Sequence, residues 1–252
     1  MDFGKPWELE KIDPENKYII STRCRTARSL KSFPFNQKMT NENYLALEKF
    51  MKNILGQLTG DLKGEYLSLS EMSEEKKNEL IDSHFLFEAS NKLLVAGNAD
   101  KYFPAGRGIF MNHSKTFMVW VGEEDHLRLI SLEQGSEIKN VVRRLEEAIR
   151  QLSTNIDFVR TKELGFISTC PANLGTGIRC SILAKLPKLS ADMNKFKELA
   201  KKHNLQIRGE YGVNSVSKNP IYDLSNVRKY GITEREIIDI VVKGCKAILE
   251  EA

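Results

Sequence analysis

Strand-forming runs outnumber the helical stripes between them, and this imbalance limits the folds open to the 252-residue chain more than any single motif does. Short β-branched or apolar runs stand at residues 18–22, 93–96, 117–121, 127–131, 166–169, 178–183, 205–208 and 221–224. Thr40 is placed to cap a helix carrying Leu47, Phe50, Met51, Ile54, Leu55 and Leu58 at helical spacing. A short polar helix is predicted over 73–82. A strongly amphipathic one starts near Ser136, with Ile138, Val141, Val142, Leu145, Ile149 and Leu152 on one face. Another helix is expected over 191–203. Thr233-Glu234-Arg235-Glu236 reads as a capping box before a last helix that buries Ile237, Ile240, Val241, Cys245 and Ile248. Strict strand–helix–strand alternation therefore fails. The pattern predicts an α+β fold, one antiparallel or mixed sheet with helices packed on it. Residues 1–16 read as an extended lead-in, and 17–252 as one domain without repeats or low-complexity linkers.

Several arginines stand where a strand core does not want them. In Ser21-Thr22-Arg23-Cys24-Arg25 an extended backbone puts Arg23 and Arg25 on one face. Arg128 and Arg179 interrupt apolar runs, and Arg208 ends another before Gly209. An unpaired buried guanidinium is very costly, so each needs an anion or a sheet edge. A surface salt bridge is the simpler reading for each one alone. All five at strand-like positions favour a polyanion, and guanidinium forks match phosphate oxygens.

Cys170-Pro171-Ala172-Asn173-Leu174-Gly175-Thr176-Gly177-Ile178-Arg179 adds a thiol, a glycine-rich turn and an arginine within ten residues. The turn can aim backbone N–H groups at an anion, and nearby positive charge stabilises a thiolate. A strand–turn–strand in a core fits the same residues. Residues 122–126, Gly122-Glu123-Glu124-Asp125-His126, join two strands. They are either a solvated acidic hairpin or a source of a general base and a carboxylate for a cationic substrate. One histidine beside carboxylates lacks metal-ligand spacing. His84, flanked by apolar groups, reads alone as a hydrogen-bonded core histidine. Gly106-Arg107-Gly108 is too short for a phosphate loop.

Charged residues at 29% and hydrophobic ones at 41% fit an ordinary soluble domain, and the net charge of +4 is dispersed. Nucleic-acid and membrane partners are thereby disfavoured. Cys24, Cys170, Cys180 and Cys245 lie far apart and read as free thiols in a reducing, cytoplasmic setting.

Taken in order, these segments resemble the catalytic domain of the phosphagen (ATP:guanidino) kinases, with the texture of the arginine kinases. The pieces are residues 21–30, 82–87 (Asp82-Ser83-His84-Phe85-Leu86-Phe87) and Gly106-Arg107-Gly108-Ile109-Phe110. Lys115-Thr116-Phe117-Met118-Val119-Trp120, residues 123–128, the 170–179 segment and Tyr222-Asp223-Leu224-Ser225-Asn226 complete them. The resemblance implies a large antiparallel sheet flanked by helices, of the guanidino kinase or glutamine synthetase-like type. It implies reversible transfer of the γ-phosphoryl of Mg-ATP to a guanidino nitrogen, with Mg²⁺ held mainly through the nucleotide and no dedicated metal site. Its nucleotide positions would be Ser21, Thr22, Arg23, Cys24, Arg25, His84, Arg128, Arg179, Cys180, Ser181, Ile182, Leu183, Arg208, Gly209, Glu210, Tyr211, Gly212, Val213 and Asp223. Glu124 would orient the guanidinium and act as base, and Cys170 would face it as thiolate. ATP or ADP and a small guanidino compound are the implied partners.

The departures concern the guanidino side. The family's helical N-terminal domain is expected to be absent, so such a domain or self-association is a candidate partner. Val213 stands where arginine kinases carry a second glutamate, Ala172 where a hydroxyl often supports the thiolate, and Leu183 and Met111 where many relatives have histidine. Lys218-Asn219-Pro220 replaces a glycine pair. Protein-arginine kinase activity, or a nucleotide-binding module with weak catalysis, are the alternative readings.

Overall fold

The computed structural model of the chain describes residues 9–83, 85–87, 100–209 and 219–252. In chain order it contains β1 (Ile19–Arg28), α1 (Asn41–Leu55), β2 (Gly64–Ser68), α2 (Glu74–Asp82), β3 (Gly108–Asn112), β4 (Phe117–Val121), β5 (Leu127–Gln134) and α3 (Ile138–Leu152). A two-strand hairpin of β6 (Arg160–Thr161) and β7 (Gly165–Phe166) follows. Then come β8 (Ile178–Lys185), α4 (Pro187–Ser190), α5 (Met193–Lys202), β9 (Leu205–Gly209), β10 (Ile221–Asn226) and α6 (Glu234–Glu250). The main sheet has eight strands in the order β2-β3-β4-β5-β1-β8-β10-β9, each antiparallel to its neighbours. The antiparallel expectation therefore holds.

Alternation along the central strands sorts chemistry from core. On β1, Cys24 lies in the core with Val141, Leu145 and Ile149 of α3, and with Ile237, Val241 and Cys245 of α6. These helices cover one face of the sheet. On the other face, a second apolar cluster (Leu69, Leu80, Ile109, Met118, Trp120, Ile130) fills only the β3–β5 end. Arg23 and Arg25 emerge next to it.

Capping fixes the helix starts. Thr40 and Asn43 bond reciprocally at α1, and Thr233 and Glu236 do so at α6. The helix expected over 191–203 is found as α5, its start fixed by the Asp192 side chain accepting from the Lys195 N–H, and the short α4 precedes it as a separate turn. The strand expected over 166–169 stops at Phe166, since the Ser168 hydroxyl donates to Cys170 O and the Thr169 N–H goes to the Asp125 carboxylate instead of a neighbouring strand. Residues 9–18 are not extended throughout. The Asn16 N–H donates to Asp13 O, and the Asp13 carboxylate accepts from the Tyr18 and Ile19 N–H groups at 2.7 and 3.0 Å. The predicted strand at 93–96 lies outside the described residues. Two strands the sequence reading missed, β2 and β3, pair with each other and extend the sheet edge.

Candidate active site

Register brings all five arginines onto the uncovered face. Arg25 of β1 stands opposite Arg179 of β8, and Ala27, two residues on, stands opposite Arg128 of β5. Asp223 of β10 lies between Leu183 and Arg208. Opposed residues in antiparallel strands share a face, so the side chains converge. They line a cleft of about 600 Å³ together with Trp120, Glu123, Glu124, Cys170, Asn173 and Lys229.

The guanidiniums are unequally satisfied. Arg179 donates to Asp223 Oδ1 at 2.5 Å and to Ser225 Oγ at 3.2 Å. Arg128 donates to Glu124 Oε2 at 2.6 Å and Glu123 Oε1 at 3.2 Å, with its fork 5.8 Å over the Trp120 ring. Burial opposes its charge, but the two carboxylates outweigh burial and hold its pKa up. Arg208 reaches only Gln206 Oε1 at 3.4 Å, and its buried Nε has no partner among the described residues. Arg23 and Arg25 make no hydrogen bond or ion pair among the described residues. Burial first, then the charges of Arg23, Arg128 and Arg179, push the Arg25 pKa well below its ordinary value. Arg23 is lowered in the same way, with Asp223 offsetting part of the effect. Arg23 and Arg25, packed among cations with only Asp223 offsetting the repulsion, are poised for an anion with several oxygens.

The acidic hairpin is not solvated. Glu123 is 2% exposed, Glu124 9%, and Asp125 and His126 are fully buried. His126 turns away from the cleft: its Nδ1 accepts from the Leu30 N–H at 2.9 Å and its Nε2 donates to Pro34 O at 2.8 Å. Burial pushes its pKa down to about 4, so the ring is a neutral strut. Asp125 Oδ1 accepts from the Thr169 N–H at 2.7 Å, and burial lifts its carboxyl to about 6. Asp125 thus bolts the hairpin to the residue preceding Cys170. Glu123 and Glu124 are left facing the cleft.

Cys170 is a half-buried free thiol followed by a short helical turn, Pro171–Asn173. Burial raises the thiol pKa, the Ala172 N–H partly opposes this, and the Glu124 carboxylate beside it adds to the rise. The Gly-Thr-Gly turn is not an anion nest at its first two amides. The Gly175 N–H donates to Phe166 O and the Thr176 N–H to Lys229 O. Gly175 is required for another reason: at φ +89° its Cβ would stand 2.5 Å from Lys229 O.

A family model described as ATP:guanido phosphotransferase, C-terminal catalytic domain, matches residues 46–252. The chain belongs to the ATP:guanido phosphotransferase family. Arginine kinase of Penaeus monodon is 44% identical over 249 residues, which cover 99% of this chain and 70% of that protein. Arginine kinase of Polybetes pythagoricus is 44% identical over 243 residues, 96% of this chain and 68% of that protein. Among solved structures, the duplicated taurocyamine kinase of Schistosoma mansoni with bound transition-state analog components superposes with a TM-score of 0.94 at 39% identity. The match covers 99% of this chain and 35% of that longer one. Lombricine kinase superposes at 0.89 with 34% identity, over 99% of this chain and 70% of the other.

Within this phosphotransferase domain the expected residues fall into three groups. Arg25, Arg128, Arg179, Arg208, Glu124 and Cys170 line the cleft, with Arg23 and Asp223 beside them. Ser21, Ser181 and Leu183 follow the same strand face. The side chains of Cys24, Cys180 and Ile182 point into the core, and Thr22 is buried with its hydroxyl on Gly135 O. These four positions can meet a ligand only through backbone. Gly209 ends β9 opposite Tyr222. His84, Glu210, Tyr211, Gly212 and Val213 lie outside the described residues. The sequence reading missed Phe87, Trp120, Asn173 and Lys229. Phe87 and Trp120 stack at 5.4 Å on the cleft wall. Lys229 sits in an aperiodic loop, and only the adjacent basic pair Arg228-Lys229 after Asn226 hinted at it. Burial first, then Arg25, Arg179 and Arg128, bring its pKa down to about 8.

Proposed function

We propose that this phosphotransferase domain moves the γ-phosphoryl of Mg-ATP reversibly onto a guanidino nitrogen of arginine or a related phosphagen. The observation that carries the reading is the contact between two opposite kinds of site. Uncompensated guanidiniums border directly on Glu124 and Cys170. Arg23, Arg25, Arg128, Arg179 and Arg208 would neutralise the phosphates, which suits a reaction dominated by positioning and charge. Mg²⁺ arrives with the nucleotide as part of the substrate and supplies further neutralisation of its oxygens.

Glu124 faces the guanidino side, where its carboxylate can hold the substrate cation and accept the N–H proton as nitrogen attacks phosphorus. Arg128, bonded to Glu124 and Glu123, links that carboxylate to the phosphate clamp. A guanidinium beside Cys170 would lower the thiol pKa that Glu124 and burial raise in the free cleft. The partners are ATP or ADP and a small guanidino compound, with a helical domain or a second copy closing over the Glu124 side. No described helix is long and apolar enough to cross a membrane. We place the reaction in the cytoplasm, where ATP and reduced thiols coexist.

The test is to incubate the chain with Mg-ATP and, separately, arginine, creatine, taurocyamine and an arginine-rich unfolded protein, then assay acid-labile phosphoramidate. Product on free arginine or taurocyamine is expected. Label on the protein alone would make the acceptor a protein arginine. ATP binding without any product would leave a nucleotide-binding module.

A further inference from the structure

We propose that Lys229 is a positioning residue that clips the Cys170 turn to the phosphate clamp, so that filling the clamp sets where the thiol stands. The proposal rests on the phosphotransferase reading above and adds a residue that connects its two halves. Lys229 Nζ donates to Asn173 Oδ1 at 2.7 Å. The Asn173 N–H in turn donates to Cys170 O at 2.9 Å, closing the turn that starts at the thiol. The Lys229 carbonyl holds the far end of the same segment, accepting from the Thr176 N–H and hydroxyl, both at 3.0 Å. One residue thus straps the loop at two points.

The other side of Lys229 faces the clamp. It is the one lysine among the described residues lining the cleft, and Arg25, Arg179 and Arg128 act on its charge. No carboxylate pairs with it among the described residues. Its ammonium is held by a neutral amide oxygen while guanidiniums repel it, an arrangement that a polyphosphate in the clamp reverses. Neutralising the guanidiniums changes the force on the ammonium, and the ammonium is bonded to the thiol's own turn.

Thiol alkylation tests the clip without relying on turnover. Cys24, Cys180 and Cys245 are buried, so iodoacetamide reads Cys170 in the folded chain. Mg-ADP should change the Cys170 alkylation rate at least about fivefold in the wild type. Lys229→Met and Asn173→Ala should each abolish that dependence, the double variant should add nothing further, and Lys229→Arg should restore it in part. By calorimetry, Asn173→Ala should weaken ADP binding less than Lys229→Met does, because it removes the turn contact and leaves the ammonium at the clamp. A wild-type alkylation rate that ignores Mg-ADP overturns the proposal. So does an Asn173→Ala protein that behaves as wild type while Lys229→Met simply binds ADP more weakly, which would make Lys229 a phosphate contact only. If Lys229→Met fails to fold by thermal melting, Asn173→Ala and Lys229→Arg carry the same comparison. Failure of the phosphoramidate assay, with the alkylation coupling intact, would overturn the catalytic reading and leave the clip standing.

Discussion

Two sets of arginine occupy this domain, one buried and one half-buried at the cleft, and they differ in what surrounds their charge. Arg28 is fully buried, stacked 3.7 Å from the Phe166 ring, and donates to Thr26 Oγ1, Ala27 O and Thr176 O. Arg107 lies 4.0 Å over Tyr44 and donates to Ala105 O. Arg144, on the core-facing side of α3, reaches Asp61 and Glu133. Carboxylates answer Arg144, whereas neutral oxygens and ring faces hold Arg28 and Arg107, and Arg28 keeps its Nε and Nη2 without a hydrogen-bond partner among the described residues. Among the described residues Arg23 and Arg25 have no hydrogen bond or ion pair, and Arg208 reaches only Gln206, although they stand only strands away. Burial of a guanidinium is therefore not the mark of a site. The mark is a half-buried guanidinium packed among its own kind at a cleft, without a bonded partner among the described residues.

The hardest test of that division lies on the acidic edge of the cleft. Glu124→Gln keeps the shape and the hydrogen bond to Arg128 but removes the base and its charge. We expect kcat to fall roughly 1,000-fold, about 4 kcal/mol, with ATP affinity nearly unchanged. A variant that turns over within tenfold of wild type would remove Glu124 from the chemistry and leave it a structural partner of Arg128.

Next in size is a pair of arginine deletions with opposite expected outcomes. Arg179→Ala should weaken ATP binding at least about 100-fold, roughly 3 kcal/mol, read by calorimetry. Arg144→Met should leave ATP affinity alone and lower unfolding stability by about 2 kcal/mol in urea, because Asp61 and Glu133 keep access to water. The contrast collapses if Arg179→Ala loses stability and keeps its nucleotide, or if Arg144→Met does the reverse.

The two arginine sets were not equally legible in the sequence. Strand alternation put Arg23 and Arg25 on one face, and their register with Arg179 and Arg128 followed once the sheet formed. Helical periodicity and the Thr40 and Thr233 caps gave α1, α3 and α6, and the β4–β5 hairpin was equally plain. Short-range pattern gave no view of β3. Gly106-Arg107-Gly108 looked like a failed loop, yet a Cβ at Gly108 would stand 2.2 Å from the Tyr66 hydroxyl, so the glycine serves cross-strand packing. Nor could it show that His126 braces Leu30 and Pro34, or that Arg144 crosses to Asp61. Those partners are 96, 92 and 83 residues away in sequence. Lys229 stayed hidden because its significance depends on Asn173, 56 residues earlier and in another loop.

A last comparison sets apart two neighbours within the acidic hairpin, His126 kept neutral by burial and Asp125 held by one N–H. His126 has a native pKa of about 4, below its unfolded value near 6.5. As pH falls from 6.5 to 4, unfolded chains take a proton that native ones refuse, so His126 costs stability at about 1.4 kcal/mol per pH unit. Asp125 has a native pKa of about 6, above its unfolded value near 4. Its stabilising contribution is complete below pH 4 and is lost as pH rises to 6, so over the shared window it offsets His126. In Asp125→Asn that offset is gone, while the amide oxygen can still accept from the Thr169 N–H. Urea unfolding from pH 6 down to pH 4 should therefore show the variant losing stability relative to wild type by about 1.4 kcal/mol per unit. Parallel curves would mean that Asp125 is ionised in the native hairpin throughout, and that its buried carboxylate belongs with the charges awaiting a ligand.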